Sequence, residues 1–519
     1  MKITLTTLLS LFTGLFLHGQ TTVFTTGTDV DPNGLYSHFL ETSDSGFIHT
    51  SYVQDAVQSR PYVYLIKYNS VGNVQWSKRF PASDYQGGPT YSTAITRVSD
   101  GGYVIATTFS QWIPAINAAR HYACLVKTDS VGNMLWTSSY PGLGESVANG
   151  VCATTDHGIV VCGTTEDTLN GDLRGFVFKT DSSGNQVWAY AYDEVNFSEE
   201  FFTVREGIAS DLHVFGMAYK RSVYLRLDSL GAVLATAQSL SAGRFTDGFE
   251  TPSGNVIAMG TKYSQGHSCL YEITPSGAQV WGKVYKYGGR FTAGTIVSSP
   301  GGYTMISNSG FNDTTNACLA HVDFSGNASW AKEYTDVNGS MHPGLIYTSD
   351  QGYCFAGEHR TSSAQDCSII VVKTDSMGTS ECNVIPVSDP PLPAAALTTI
   401  PFVLTNVMTE INTPTQTMGV LPHAIEYCPL TNVAASQSPV DAVRVYPNPA
   451  HDQLYIQYNG PDPGNMRIRL CDATGKIIRA EQATGPAHIM DLTGLVPGMY
   501  FVLIEADDGA ITQQRIIVH

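Results

Sequence analysis

Lys127, Thr128, Asp129 and Ser130 stand side by side in LVKTDSVGNMLW (125–136). An ammonium, a carboxylate and two hydroxyls in one short run could clamp an ion or activate a nucleophile. A catalytic group is needed once in a protein, so recurrence separates chemistry from architecture. The run recurs. KYNSVGNVQW (67–76), KTDSVGNMLW (127–136), KTDSSGNQVW (179–188), RLDSLGAVLA (226–235), EITPSGAQVW (272–281), HVDFSGNASW (321–330) and KTDSMGTSEC (373–382) align without gaps, about 50 residues apart. The lysine position reads Lys67, Lys127, Lys179, Arg226, Glu272, His321 and Lys373, so even its sign varies. The aspartate position holds Asn69, Asp129, Asp181, Asp228, Thr274, Asp323 and Asp375, residues that start turns. Glycine fills the next fixed position in every copy, at 72, 132, 184, 231, 277, 326 and 378. The pattern is that of a turn.

A second mark precedes each copy: DSGF (44–47), DGGY (100–103), DHGI (156–159), SDLHV (210–214), SGNV (253–256), PGGY (300–303) and DQGY (350–353). The chain therefore holds seven units, the fourth the most degenerate. Each reads as four short strands, in the second STAITRVS, GYVIATTF, YACLVKT and NMLWTSSY, rich in β-branched and aromatic residues. A period near 50 with four strands and two fixed tight turns is the signature of a β-propeller blade. TTVFTT (21–26) sits ahead of the first unit, where other units have a fourth strand; it is expected to complete the last blade and remove the open edge. Trp76, Trp136, Trp188, Trp281 and Trp330, four residues after the glycine, are expected to pack between neighbouring blades.

The chain of 519 residues is too long for one core, and its 14% charged content with 49 Gly and 27 Tyr suits strands and turns better than helices. Its formal charge of −17 argues against nucleic acid or an anionic membrane as partner. Lys2, the apolar run from Ile3 to Leu17 and Gly19 read as a secretory signal peptide over 1–19. No later apolar run is long enough for a transmembrane helix.

Of ten cysteines, Cys124, Cys269 and Cys318 share one register position in three units and are expected to fill core. Cys152 and Cys162 are expected opposite each other on the first two strands of the third unit. Cys382 and Cys428 bracket an irregular segment and are the disulfide candidates.

After residue 387 the pattern breaks. Residues 388–440, Pro- and Thr-rich at first, read as a linker or accessory β segment, and 441–519 as a small antiparallel β-sandwich. VYPNPAHDQLYI, DATGKIIR, DLTGLVPGMYFVLIE and the closing QRIIVH resemble the type A C-terminal sorting domain of the type IX secretion system. That resemblance implies export through the periplasm to the type IX secretion machinery, with Pro447, Asn448, Pro449, Gly475, Gly498 and Tyr500 belonging to the sorting signal. The family often ends near a Lys, where this chain has Arg515 and His519. The units over 20–387 in turn resemble delta-60 or WD40-like β-propeller repeats. The expected fold is all-β: a seven-bladed β-propeller followed by a small Ig-like antiparallel β-sandwich.

Enzyme motifs are missing: the chain has no H-E-x-x-H, no G-x-S-x-G and no Walker loop. DVDPNG (29–34) begins like a calcium loop, yet its twelfth position is Leu40 rather than Glu, and a plain turn is expected. The TDSxGNxxW run also resembles quinoprotein dehydrogenase blades, but no Cys-Cys dipeptide is present to stack a quinone. No cofactor or metal is expected. The loops opposite the repeated turns vary most, and variable loops on a rigid scaffold are the usual place for recognition. They offer Tyr85, Trp112, Arg120, His121, Arg174, Arg244 and Arg290, together with His267, His342 and Arg360. The expectation is a secreted or cell-surface binding or adhesion module for a glycan or protein ligand, not an enzyme. The alternatives are a purely structural surface component and a carbohydrate-active enzyme, which would need facing carboxylates drawn from Asp172, Glu199 and Asp247.

Overall fold

The computed structural model describes residues 24–28, 38–54, 61–84, most of 93–380, short strands between 384 and 425, and most of 443–518. It divides into two compact units, Met1–Cys428 and Pro429–His519.

In the larger part each sequence repeat folds as an antiparallel meander. The first joins His38–Glu41, Phe47–Gln54, Pro61–Tyr68 and Val74–Pro81 in sequence order. The second joins Ala94–Arg97, Tyr103–Ile113, Ala118–Thr128 and Met134–Tyr140. The third joins Ser146–Ala153, Ile159–Glu166, Leu173–Thr180 and Gln186–Asp193. Glu199–Glu206, Leu212–Ala218 and Arg221–Leu227 lead into the long strand Val233–Glu250, whose first half completes unit four and whose second half begins unit five. Unit five continues through Val256–Lys262, His267–Ile273 and Gln279–Tyr285. Unit six holds Arg290–Ser299, Gly302–Phe311, Thr314–Asp323 and Ala328–Asn338. Among the described residues, unit seven has Leu345–Tyr347, Tyr353–Arg360 and Cys367–Thr374 of its own. Its fourth strand is Phe24–Thr28 from the start of the chain, paired Phe24 to Lys373 and Thr28 to Ile369.

The turns form because their residues demand them. Asp129 accepts the N–H groups of Val131 at 3.0 Å and Asn133 at 2.8 Å, an Asx turn built from one side chain. Gly132 closes it at φ 79°, a conformation that suits a residue without Cβ. Its neighbour across the unit boundary gives a second reason: a Cβ there would lie 2.6 Å from the Trp76 ring. Trp136 crosses Gly184 in the same way, and Trp281 crosses Gly326. Tyrosines of the fourth strands add bonds to the same turns, Tyr140 donating to Gly184 O at 2.6 Å and Tyr285 to Gly326 O at 2.8 Å.

Packing runs from each unit to the next. One buried cluster joins Leu65 and Phe80 of unit one to Ile105 and Val126 of unit two; another joins Leu125 and Tyr140 to Phe176 and Phe178. The series continues through units three and four, four and five, five and six, and six and seven. It then returns, with Phe39, Tyr62 and Ile66 of unit one packed on Ala356 and Val371 of unit seven. Strands covered on both faces read as near-continuous apolar runs, as in Pro61–Tyr68, where every residue is buried and Lys67 alone is charged.

Cys124, Cys269 and Cys318 are buried and unbridged. The placement of Cys152 opposite Cys162 is corrected: a bulge between Ala148 and Gly150 sets Cys162 against Gly150 and Cys152 against Val160. Both remain free thiols. Cys382 and Cys428 lie outside the described residues.

Between 384 and 425 the chain adds one short antiparallel strand after another to the fourth strands. Val384–Pro386 pairs with unit six, Leu392–Pro393 with unit five, Leu397–Thr398 with unit four, Val403–Asn406 with unit three and Ile411–Asn412 with unit two. Ala424–Ile425 then pairs with Phe24–Thr28. Each addition satisfies backbone groups along an edge that would otherwise invite association.

The C-terminal unit has a sheet of Val443–Tyr446, Gln453–Tyr458 and Ala487–Asp491, and a second of Ile477–Thr484, Asn465–Asp472, Gly498–Glu505 and Ile511–Val518. Leu454, Ile456 and Met490 from the first share one core with Ile468, Leu470, Val502 and Ile516 from the second.

Candidate functional site

Lys127, Thr128 and Asp129 have separate structural tasks. Asp129 holds its turn, Thr128 donates to Asp129 O at 3.0 Å, and Lys127 turns inward. Its ammonium reaches Asp100 of the other tight turn of the same unit at 2.7 Å and its own neighbour's carbonyl, Thr128 O, at 3.0 Å. Lys67–Asp44, Lys179–Asp156 and Lys373–Asp350 repeat the pair. Each pair ties the two tight turns of its unit together.

The first strands of the units come together around a cavity of about 490 Å³. Its wall takes His38 from unit one, Thr96 from unit two, Cys152 from unit three, Thr203 and Arg205 from unit four, Asp247 from unit five, Thr295 from unit six and Tyr347 from unit seven. This is the size of a small-molecule site. Among the described lining residues Asp247 is the one carboxylate. Arg205 Nη2 reaches its two oxygens at 2.9 and 3.0 Å, and the Ile296 N–H donates to Oδ2 at 3.1 Å. Burial pushes the His38 imidazole down to about 4, so it faces the cavity neutral. The lining mixes apolar residues with a few polar ones and carries no net charge. Asp172 and Glu199 are not among its residues; Glu199 is buried 3.9 Å from Arg174.

The loop candidates do not converge. Trp112 is 40% exposed on the extended hairpin of unit two, with Arg120 opposite Gln111 across the same ladder. His121 is buried there, its Nδ1 2.8 Å from the Ser110 hydroxyl and its Nε2 3.7 Å from Glu145. Arg174 is buried between Asp167 at 3.4 Å and Glu199 at 3.9 Å. Arg244 lies over the Phe202 ring, 5.5 Å from its centroid, beside Glu200, whose carboxyl burial pushes up, and Tyr263. Arg290 begins a unit-six strand and Arg360 ends a unit-seven strand. His267 starts the third strand of unit five, its pKa lowered by burial. Tyr85, His342 and the calcium-like run Asp29, Asp31, Asn33 and Gly34 lie outside the described residues.

The cavity wall was not foreseen. Its signal was the alignment itself, since the residues two to six places before each first tight turn fall on the same strand in every unit. Among the described residues, Asp211, His213 and Glu250 form a group able to hold a metal, their ligand atoms within 4.8 Å of one another.

In the C-terminal unit Tyr500 is buried and donates to Val496 O at 2.8 Å, and Gly498 begins the same strand. Pro447 follows a cis peptide bond after Tyr446. Asn448, Pro449 and Gly475 lie outside the described residues.

Residues 444–519 match the family described as Secretion system C-terminal sorting domain. This tail belongs to proteins carried to the cell surface or extracellular space by the type IX machinery, and no described helix is long and apolar enough to cross a membrane. No curated protein sequence matches the chain. Among solved structures, a protein of unknown function from Bacteroides caccae aligns at 14% identity over 56% of this chain and 100% of its own, with a TM-score of 0.36. The polysaccharide lyase Uly1 aligns at 9% identity over 70% of this chain and 94% of its own, with a TM-score of 0.42. The NanB sialidase from Streptococcus pneumoniae aligns at 8% identity over 69% of this chain and 70% of its own, with a TM-score of 0.39. At these scores the alignments speak to neither substrate nor reaction.

Proposed function

We propose that this exported protein is a non-catalytic binding module: a seven-bladed β-propeller, carried out by an Ig-like sorting domain, whose central cavity takes an uncharged, hydroxyl-rich ligand such as a carbohydrate. The observation that carries this reading is the composition of the cavity. Thr96, Thr203, Thr295, Tyr347 and the neutral His38 line it together with one ion pair, Arg205–Asp247, that cancels its own charge. Hydroxyl-rich ligands are recognised by such mixtures of apolar wall and a few placed polar groups. Hydrolysis of a glycosidic bond ordinarily draws on two carboxyl groups facing each other across the bond, and the described lining offers one, already engaged by Arg205. The return of packing from unit seven to unit one, and the completion of unit seven by Phe24–Thr28, support the ring of seven.

The test is a glycan array probed with the full chain, followed by titration of each hit and a search for product. Saturable binding without turnover supports the proposal. Silence across the array argues for a structural surface role, and released product argues for an enzyme.

A further inference from the structure

Unit four departs most from its sisters, and its departures converge on one spot. In units one, three and seven the first tight turn opens on Thr42, Thr154 or Thr348, whose hydroxyl donates to Asp44, Asp156 or Asp350. Unit four has Gly207 at that place, and its acid has moved to the end of the turn as Asp211. In units three and seven the next residue, Thr155 or Ser349, donates both its N–H and its hydroxyl to a glutamate on the neighbouring unit's first strand, Glu206 or Glu41. In unit four that residue is Ile208, which offers only its N–H, 2.6 Å from Glu250 Oε2.

Into this gap points His213, 1% exposed. Its Nδ1 lies 2.8 Å from the hydroxyl of buried Tyr224. With Nδ1–H donated to that oxygen, Nε2 turns its lone pair towards Asp211 Oδ2 at 3.6 Å and Glu250 Oε2 at 3.7 Å. Both separations exceed hydrogen-bond length, and neither Nε2 nor Asp211 Oδ1 has a hydrogen-bond partner. Gly207 keeps the space between them open. A Cβ there would lie 2.4 Å from His213 Nε2, 2.6 Å from Asp211 Oδ1 and 2.7 Å from Glu250 Oε2.

We propose that Asp211, His213 and Glu250 form a binding site for a divalent transition-metal ion, with zinc the best fit. Ligands about 2.0–2.1 Å from a tetrahedral ion stand roughly 3.3–3.5 Å from one another; the imidazole–carboxylate separations of 3.6 and 3.7 Å are close to this, and the three donors, which lie within 4.8 Å of one another, draw together on the ion. An imidazole among the donors favours zinc over calcium or magnesium, which prefer oxygen alone. Tyr224 orients the imidazole through its other nitrogen, as second-layer partners of metal-bound histidines do. Three protein ligands leave a fourth position to water. Arg226 pairs with Asp211 Oδ2, the oxygen 3.6 Å from His213 Nε2, so its charge weakens the ion's hold and the ion takes Oδ1, which faces the Gly207 gap without a hydrogen-bond partner. Asp211 and His213 belong to unit four and Glu250 to unit five, so the ion ties neighbouring units together.

The test is calorimetric titration of Zn²⁺, and separately of Ca²⁺, into full-length protein stripped with EDTA, with metal content measured after dialysis. The expected result is one tight zinc equivalent, a raised melting temperature and weaker binding of calcium. Glu250→Gln, which retains an acceptor for the Ile208 N–H, should lose at least tenfold in affinity, as should Gly207→Ala by filling the space. Arg226→Gln should bind zinc more tightly, a gain that a merely structural histidine would not give. Circular dichroism of each variant checks its fold; if Glu250→Gln does not fold, the other two carry the test. No zinc bound to the wild type, affinity unchanged in the folded variants, or calcium preferred to zinc would overturn the proposal.

Discussion

Lys127 and Asp100 are joined across one unit, ammonium to carboxylate at 2.7 Å, with the lysine side chain 5% exposed and the aspartate 57%. The asymmetry sets which partner matters more. Asp100→Ala leaves a buried ammonium without its counter-charge and should cost about 3 kcal/mol. Lys127→Met leaves a carboxylate that water can solvate, keeps the apolar stem and should cost about 1 kcal/mol or less. Urea denaturation of the two variants checks the order, and equal losses would contradict it.

Gly132 and Gly101 both hold a left-handed backbone, at φ 79° and 84°. A Cβ at Gly101 would meet nothing within 4 Å, whereas one at Gly132 would meet the Trp76 ring at 2.6 Å. Gly101→Ala should therefore cost about 1 kcal/mol of backbone strain. Gly132→Ala should cost at least about 2 kcal/mol more, because the ring between units must move. Thermal melts of the pair isolate the packing contribution.

Acid should unfold the protein in two windows. His49 is fully buried, stacked 5.0 Å from the Phe39 ring, and burial holds its pKa at about 3 against 6.5 when unfolded. The unfolded chain therefore takes its proton first, and stability falls as pH drops from 6.5 towards 3, by roughly 1.4 kcal/mol per unit. Bonds from Thr42 and Lys67 hold Asp44 at about 2, and bonds from Lys179 and Thr154 hold Asp156 at about 2, against 3.8 unfolded. Their contribution is complete above 3.8 and fades as pH falls towards 2. His49→Phe should lessen the slope of the upper window only, because His38, held at about 4, still takes its proton first in the unfolded chain. It should also be at least as stable as wild type at pH 7, since neither ring nitrogen of His49 has a hydrogen-bond partner. An unchanged slope between pH 6.5 and 4 would contradict this.

The strands between 384 and 425 cover edges in six of the units. A chain ending at residue 382 should melt lower than one ending at 428 and should associate through the bared strands. Light scattering during thermal melts checks both effects. Equal behaviour would show that these strands are dispensable.

What was legible in the sequence was what local chemistry demands. Asp129 and Gly132 reveal a turn because the Asx bonds and the positive φ are satisfied within five residues. The Lys127–Asp100 pair was hidden because its partners belong to different turns, although both positions were visible in the alignment. Arg174 and His121 looked like exposed loop cations because their acidic neighbours, Asp167, Glu199 and Glu145, come into reach only after folding. The added strands stayed open between a linker and an accessory β segment for a simpler reason. Leu392–Pro393 and Ile411–Asn412 are too short to carry any alternation, and they exist only through the edges they join. The cavity needed the register of all units at once, so its Arg205–Asp247 pair followed from no single motif.

The most direct measurement is titration of a glycan-array hit into wild type, Thr295→Phe and Trp112→Ala. Thr295 lines the cavity, and Trp112 is exposed on the unit-two hairpin. The account predicts at least tenfold weaker binding in Thr295→Phe and wild-type affinity in Trp112→Ala. Wild-type affinity in Thr295→Phe with loss in Trp112→Ala would contradict it and place recognition on the loops.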